Sequence, residues 1–195
     1  MLGSVSTIYV SAVIFSTEQI KEINREIQKF ITDDSAENSQ NPALGKKGKF
    51  NLIPCAPMLN YLYPYISEIQ KANMKFFGYD IFFYLGTDQF NYNVYDGKTK
   101  DEYDWHTDGT QMEAPSDIKL TCLLNLSEEP YEGGDFLCFP DYNDPEKEEY
   151  KNLLGQFRIP GTILLFHPSR PHKVLPVTKG KRITLTYWAE GPSSK

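Results

Sequence analysis

Histidine and cysteine are scarce in this chain, which contains three of each among its 195 residues. The cysteines form no CxxC pair and are odd in number, so a disulfide framework is not indicated and a reducing, cytoplasmic compartment is expected. No apolar run reaches the length of a membrane-spanning helix, and the N-terminus lacks the basic start of a signal peptide. Because 26 acidic residues outnumber 20 basic ones, the charge balance also argues against a nucleic-acid-binding surface.

Aromatic residues are plentiful, with 13 tyrosines and 12 phenylalanines, and such side chains are enriched in strands. A length of 195 residues suits one domain with a sizeable core. We therefore expect a single, β-rich domain over residues 1–195.

The N-terminal part begins with a strand-like run and a helix signal. Residues 5–15 resemble a first strand. Ser16 and Gln19 then have the spacing of a capping box, which predicts a helix over 17–31.

The next segment is predicted to be a loop followed by a second helix. Residues 32–50 are polar and read as a loop. A helix is predicted over 56–76, with a kink or a break into two short helices at Pro64. The region 1–78 is thus expected to be a mainly helical support.

Strand-like runs dominate the rest of the chain, and turn residues separate most of them, which indicates antiparallel pairing. Helices followed by about eight strands predict an α+β fold, with the N-terminal helices packed against one sheet of a double-stranded β-helix, or jelly roll, over 79–190. The predicted strands are 80–86, 89–95, 117–127, 134–139, 156–160, 161–167, 172–177 and 182–188.

The acidic segment 141–154 interrupts the strand series. We expect it to form a solvated surface helix or loop. The alternative is a flap that faces the substrate, which charge alone does not support.

The most informative motif is His106-Thr107-Asp108. A His and an Asp two residues apart on a strand point to the same face. Together with His172 they make a set of two imidazoles and one carboxylate, which suits non-haem Fe(II) because it leaves metal positions open for a co-substrate and O₂. His167 is the competing third ligand, but His172 is preferred because it opens the next strand and lies ten residues before Arg182.

Arg182 is the second diagnostic residue. A dicarboxylate co-substrate needs a cation at the far end of its pocket, and a guanidinium can bind a carboxylate through two hydrogen bonds. Thr184 shares the strand face of Arg182, so its hydroxyl can donate to the same carboxylate.

Four blocks in order resemble the Fe(II)- and 2-oxoglutarate-dependent dioxygenases, in particular their prolyl 4-hydroxylase-like branch. The resemblance covers about residues 80–190. The blocks are Tyr95 with the run 103–108, Gly133-Gly134-Asp135-Phe136-Leu137, the run 171–177, and Arg182 with Trp188.

The resemblance implies the roles of these residues. It implies that His106, Asp108 and His172 bind iron and that Arg182 binds the distal carboxylate of 2-oxoglutarate. Further co-substrate contacts are expected from Tyr95, Thr184 and Asn125, the last because the strand after the motif lacks the tyrosine of many relatives. Candidates for facing the substrate are Tyr103, Trp105 and Trp188.

The function implied is hydroxylation of an unactivated C–H bond, with release of succinate and CO₂. Asp108 favours hydroxylation, since related halogenases carry a small residue there. The expected substrate is a prolyl residue in a peptide or protein, and ascorbate is a candidate reductant. The alternatives are a small-molecule substrate, a nucleic acid (disfavoured because Trp188 stands where demethylases carry a second Arg), or a non-catalytic, cupin-like metal-binding protein.

Overall fold

The computed structural model describes residues 8–31, 45–109, 116–139 and 148–193, without the side chains of 148–151. The helices are α1 (Thr17–Gln28), α2 (Cys55–Ala72), which runs on into a π-helical turn (Asn73–Phe77), and α3 (Glu148–Gln156). The strands are β1 (Ile8–Val10), β2 (Lys49–Pro54), β3 (Gln89–Asp96), β4 (Tyr103–His106), β5 (Ser116–Asn125), β6 (Glu132–Gly133), β7 (Phe136–Cys138), β8 (Ile163–Phe166), β9 (His172–Val174), β10 (Val177–Lys179) and β11 (Lys181–Pro192).

The strands form a jelly roll of two facing layers. The major sheet has six strands in the order β1-β8-β5-β11-β3-β2, and the minor layer holds a three-stranded sheet β4-β9-β7 beside the pair β10-β6. All of these pairs are antiparallel. The predicted fold class is therefore confirmed.

The major sheet is covered on both faces, which explains its long apolar strands. On β5, Leu120, Cys122 and Leu124 belong to the core that α1 and α2 share with the sheet. Leu123 points the other way, into a second core between the two layers that also holds Phe136. Because successive strand residues alternate between these cores, every residue of the second half of β5 is buried.

The N-terminal helices are fixed to the sheet by apolar and polar contacts. The predicted capping box is present, since the hydroxyl of Ser16 accepts from the Gln19 N–H while the Gln19 side chain accepts from the Ser16 N–H. On α2, the hydroxyl of Tyr65, which is fully buried, donates to the carbonyl of Cys122 on β5 at 2.6 Å. No helix within the described ranges is long and apolar enough to cross a membrane.

Two of the predicted strands do not form, and one strand, β2, was missed. Residues 80–86 make one isolated bridge, Phe82 to Glu190, and their apolar side chains pack against the helix-side core instead of pairing along a strand. Residues 156–160 form the end of α3 and a series of tight turns. Conversely, β2 was missed: it begins in the predicted loop and ends before the predicted helix, and a short edge strand with polar neighbours has only a weak apolar pattern.

Other boundaries differ less. The helix over 55–72 is continuous through Pro64, with no break into two helices. In the predicted first strand, 5–15, only Ile8–Val10 pairs, and residues 1–7 lie outside the described part. Within the acidic segment 141–154, α3 packs Leu154 into the inter-sheet core, whereas residues 141–147 fall outside the described residues, and the alternative of a flap is not tested there.

Tyr65→Phe should lower the free energy of unfolding by about 1 kcal/mol, because it removes one buried hydrogen bond with little change in volume. Urea unfolding followed by circular dichroism measures the effect. Tyr63→Phe is the matched control, since Tyr63 lies on the same helix and is 70% exposed. Equal stability of the two variants would contradict a stabilising role for the Tyr65 hydroxyl.

Candidate metal and co-substrate site

Two short strands of the minor sheet bring the predicted metal ligands together. β4 ends at His106 and β9 begins at His172, and these two residues are directly paired across the strands. Asp108 lies beyond the end of β4, so the prediction that it shares a strand with His106 was wrong. Its N–H donates instead to the carbonyl of Pro168 at 3.0 Å. The ligand atoms of the three side chains nevertheless lie within 4.8 Å of one another.

Both imidazoles are prepared as neutral metal ligands. The Nδ1 of His106 lies 2.7 Å from the carbonyl of Asp104, and the Nδ1 of His172 lies 2.8 Å from that of Arg170. A carbonyl only accepts, so each Nδ1 carries the hydrogen and each Nε2 keeps its lone pair for the site. Burial lowers the pKa of His106 to about 4, with a further contribution from His172, and burial also lowers the pKa of His172.

Thr121 on β5 orients the carboxylate of Asp108, and no sequence pattern singled this residue out. Its hydroxyl donates to Asp108 Oδ2 at 2.5 Å, and the same oxygen lies 3.8 Å from the Nε2 of His172. The hydroxyl therefore restricts rotation of the ligand, as outer hydrogen bonds to metal ligands do. The donor set of two neutral imidazoles and one carboxylate fits Fe(II) with open positions.

A cavity of about 510 Å³ adjoins the three ligands and extends along β3 and β11. The two strands pair residue by residue, and each inward-facing pair contributes to its wall. These pairs are Arg182 with Tyr95, Thr184 with Asn93, and Thr186 with Asn91. The predicted alternation of Arg182 and Thr184 on one face is confirmed, and it extends to Thr186 and Trp188.

Arg182 is a buried cation without an acidic partner. It is 2% exposed, its Nη2 has no hydrogen-bond partner, and no carboxylate among the described residues forms an ion pair with it. The rings of Tyr95 and Phe157 lie 5.5 and 5.8 Å from the guanidinium carbon. Because an uncompensated buried charge is costly, this arrangement calls for an anion in the cavity, as the distal carboxylate of 2-oxoglutarate would supply.

Gly133 and Gly134 allow the backbone around them to lie close to Arg182. Gly133 and Gly134 both have positive φ angles, of 68° and 65°. A Cβ on Gly134 would lie 3.1 Å from Cδ of Arg182 and 2.8 Å from a methyl group of Val177. A side chain at this position would therefore displace the guanidinium.

Asn125 does not reach the cavity, which corrects the sequence-based expectation for this residue. Its amide nitrogen donates to the carbonyl of Phe157 at 2.8 Å, and its oxygen accepts from the N–H of Ser127 at 2.9 Å. The side chain is thus engaged in fixing the backbone near the end of β5. It is left out of the co-substrate site.

Of the three candidate substrate-facing residues, two line the cavity and one does not. Trp188 and Tyr103 line the cavity. A bulge in β4 places Tyr103 on the same face as His106, and their rings stack at 3.5 Å. Trp105 lies on the outer face, 40% exposed and 5.0 Å from the ring of Phe139, so it does not line the cavity. His167 also lies outside the lining and contacts Ser169, as expected.

Lys46 is a cavity residue that the sequence did not reveal, because it lies in a segment predicted to be a loop. It is 9% exposed, and its ammonium group lies 4.5 Å from the ring of Phe50 and 5.1 Å from that of Tyr103. Burial lowers the pKa of Lys46 to about 8, against the opposing effect of Asp108. It therefore remains mainly charged at neutral pH.

Comparison with known proteins agrees with this geometry. The sequence profile of the 2OG-Fe(II) oxygenase superfamily matches residues 90–190, a little more than half of the chain. A PKHD-type hydroxylase from Xylella fastidiosa is 32% identical over 101 residues, which cover 46% of this chain and 39% of the relative. Another PKHD-type hydroxylase, from Aliarcobacter butzleri, is 25% identical over 184 residues, which cover 91% of this chain and 75% of the relative. The chain thus spans about two fifths of the length of the first curated relatives.

Solved structures show the same fold at low identity. A prolyl-4-hydroxylase from Pseudomonas putida superposes with a TM-score of 0.67 at 16% identity, covering 97% of this chain and 95% of the other. A Trichoplax adhaerens prolyl hydroxylase, solved with a hypoxia-inducible-factor peptide, superposes with a TM-score of 0.68 at 19% identity. The match covers 94% of this chain and 83% of the other. The carbocyclase SnoK superposes with a TM-score of 0.67 at 14% identity, and the match covers 96% of this chain and 80% of the other. At these identities the likeness establishes the fold.

Thr121→Val should weaken metal binding by about tenfold to a hundredfold, because the ligand Asp108 loses the hydrogen bond that orients it. Titration of the metal-free protein with Mn(II), followed by calorimetry, gives the dissociation constant. Thr121→Ser keeps the hydroxyl and is the control expected to bind as the wild type does. If Thr121→Val binds Mn(II) with unchanged affinity, the hydroxyl does not position the ligand.

Proposed function

Because the chain belongs to the 2OG-Fe(II) oxygenase superfamily, we propose that it is a 2-oxoglutarate-dependent dioxygenase that hydroxylates an unactivated C–H bond. The observation that carries this proposal is the presence, in one cavity, of the His106–Asp108–His172 cluster and the buried, unpartnered guanidinium of Arg182. A metal alone would account for the first group and leave the second unexplained. A dicarboxylate that also binds the metal accounts for both.

In this proposal the two Nε2 atoms and the carboxylate of Asp108 hold Fe(II) on one side. When bound, the metal and 2-oxoglutarate supply the oxidising chemistry: O₂ is consumed, 2-oxoglutarate is converted to succinate and CO₂, and one oxygen atom enters the C–H bond of the substrate. The presence of Asp108 as a third protein ligand favours hydroxylation over halogenation.

The other residues of the cavity bind and orient. Arg182 would bind the distal carboxylate through its two terminal nitrogens, and Thr184 on the same face would donate its hydroxyl. Tyr95 lies in the same cross-strand row, and burial raises the pKa of its phenol, so it acts as a neutral donor. The apolar side chains of Leu123, Phe136 and Val174 help exclude water from this part of the cavity.

For the substrate we propose a prolyl residue in a peptide or protein. The likeness in fold to prolyl hydroxylases supports this, one of which was solved with a peptide. Trp188 supports it as well, since its indole lines the cavity and its N–H is buried without a partner, ready to donate to a carbonyl group. Ascorbate remains a candidate reductant.

The alternatives are distinguished by particular residues. A non-catalytic metal-binding jelly roll has no use for Arg182, whose burial is costly without an anion. A nucleic acid substrate is disfavoured by the net charge of −6. A small molecule is the second candidate, because the cavity contains charged groups beyond those required for 2-oxoglutarate.

The three buried, unpaired cysteines support the expectation of a reducing, cytoplasmic compartment.

Arg182→Met should raise the concentration of 2-oxoglutarate required for half-maximal turnover by about tenfold to a hundredfold, because charge-assisted hydrogen bonds are lost. Succinate formation with Fe(II) measures this, with proline-containing peptides screened by mass spectrometry for the gain of one oxygen. Arg25→Met, on the exposed face of α1, is the control.

His106→Ala provides a separate test at the metal. It should abolish Fe(II) binding and turnover, since one of three protein ligands is removed. The proposal would be overturned by a wild-type protein that forms no succinate under any condition and shows no change in melting temperature on addition of metal and 2-oxoglutarate.

A further inference from the structure

The cavity contains a second buried cation, Lys46, in addition to Arg182. Lys46 contacts the row that contains Asn93 and Thr184, the next inward-facing row after that of Arg182. Its ammonium group donates to Asn93 Oδ1 at 3.2 Å. No acidic side chain among the described residues lies within ion-pair distance of it, so its charge is not compensated by the protein.

Asn93 is held in the orientation that serves Lys46. Its amide nitrogen donates to the carbonyl of Asn91 at 3.1 Å and to the hydroxyl of Thr186 at 3.2 Å. With the nitrogen engaged twice, the amide oxygen points to the ammonium group. The lysine is therefore fixed by a built polar network, and its remaining donors are available to a ligand.

Two further polar atoms of the same cavity are buried and unpartnered. Asn91 is 7% exposed, and its Oδ1 has no hydrogen-bond partner in the part of the chain that the structure describes. The indole N–H of Trp188 is likewise buried and unpartnered. Such atoms are costly unless a ligand satisfies them. The residues lining the cavity thus include a cation (Lys46), an acceptor (Asn91 Oδ1) and a donor (the Trp188 N–H). None of the three is needed to hold the metal or the distal carboxylate of 2-oxoglutarate.

The charge balance of the loaded site indicates what Lys46 binds. Among the described residues that line the cavity, the charged ones are Lys46, Asp108 and Arg182. Divalent iron and the doubly negative 2-oxoglutarate cancel one another, and Asp108 cancels Arg182. The charge of Lys46 is then left over, in a position where water is largely excluded.

We propose that Lys46 is a specificity-determining residue that binds a carboxylate of the hydroxylated substrate, with Asn91 accepting an N–H of that substrate. This rests on the proposed function and narrows its substrate class to molecules that carry a carboxylate near the reacting carbon. The carboxylate belongs to the substrate's own main-chain terminus or to an acidic side chain beside the target residue. A neutral prolyl peptide leaves Lys46 uncompensated.

The test compares matched probes that differ only in a carboxylate or a carboxamide. The pairs are N-acetylproline with N-acetylprolinamide, acetyl-Asp-Pro-amide with acetyl-Asn-Pro-amide, and acetyl-Pro-Asp-amide with acetyl-Pro-Asn-amide. Binding is measured by NMR titration of the full chain loaded with Zn(II) and the 2-oxoglutarate analogue N-oxalylglycine, so no turnover is needed. The pair with the largest difference identifies the source of the carboxylate.

We expect at least one carboxylate probe to bind about tenfold or more tightly than its amide partner, as a charge-assisted hydrogen bond provides. Lys46→Met should remove this preference and leave the affinity for N-oxalylglycine unchanged. Lys47→Met is the matched control, because the neighbouring Lys47 is 56% exposed and pairs with Glu102 on the surface. It should retain the preference.

Three results would overturn the proposal. The first is the absence of a carboxylate preference in the wild type for every pair, whether the probes bind equally or not at all. The second is a preference that survives in a folded Lys46→Met variant. The third is a folded Lys46→Met variant that loses its affinity for N-oxalylglycine together with the preference, which would assign Lys46 to the co-substrate. Failure of Zn(II) and N-oxalylglycine to bind the wild type would instead refute the proposed function.

Discussion

The antiparallel pairing of β4 with β9 is the contact on which the rest of the site depends. It sets His106 opposite His172, and the bulge in β4 turns Tyr103 to the same face. Asp108 completes the set from beyond the strand, where a backbone hydrogen bond to Pro168 in the loop between β8 and β9 and the hydroxyl of Thr121 hold it. Thr121 belongs to the major sheet, so the metal cluster also ties the two layers together. Helices α1 and α2 pack on the far side of that sheet and leave its inner face free for the cavity.

Uncompensated charge is the second organising constraint. A protein that had only to fold would not bury Arg182 without an acidic partner, because the desolvation of a guanidinium opposes folding. The rings of Tyr95 and Phe157 offset part of this cost, and a ligand carboxylate would offset more. Lys46 repeats the pattern with Phe50 and Tyr103 as its aromatic neighbours. Both buried cations break the usual rule that charge is paired in the interior, as expected where local folding rules are broken at a functional site.

Prediction of the fold succeeded where local pattern and tertiary environment agree. The capping box at Ser16 and the long strands β5 and β11 are of this kind. It failed at 80–86 and 156–160, since apolar content reports that a segment is buried and does not report whether its backbone pairs with a strand. It also failed at β2, an edge strand whose side chains are partly exposed, because such a strand needs no strict apolar alternation.

The sequence by itself determined the type and spacing of the chemical groups: His106 and Asp108 two apart, and His172 ten residues before Arg182 with Thr184 on its face. These relations hold within short stretches of the chain. Only the tertiary structure decided that Lys46 and Thr121 join the site while Asn125 and Trp105 do not. Their positions follow from strand pairing, from one bulge and from competing backbone hydrogen bonds. Those features depend on residues distant in the chain, and no local spacing encodes them.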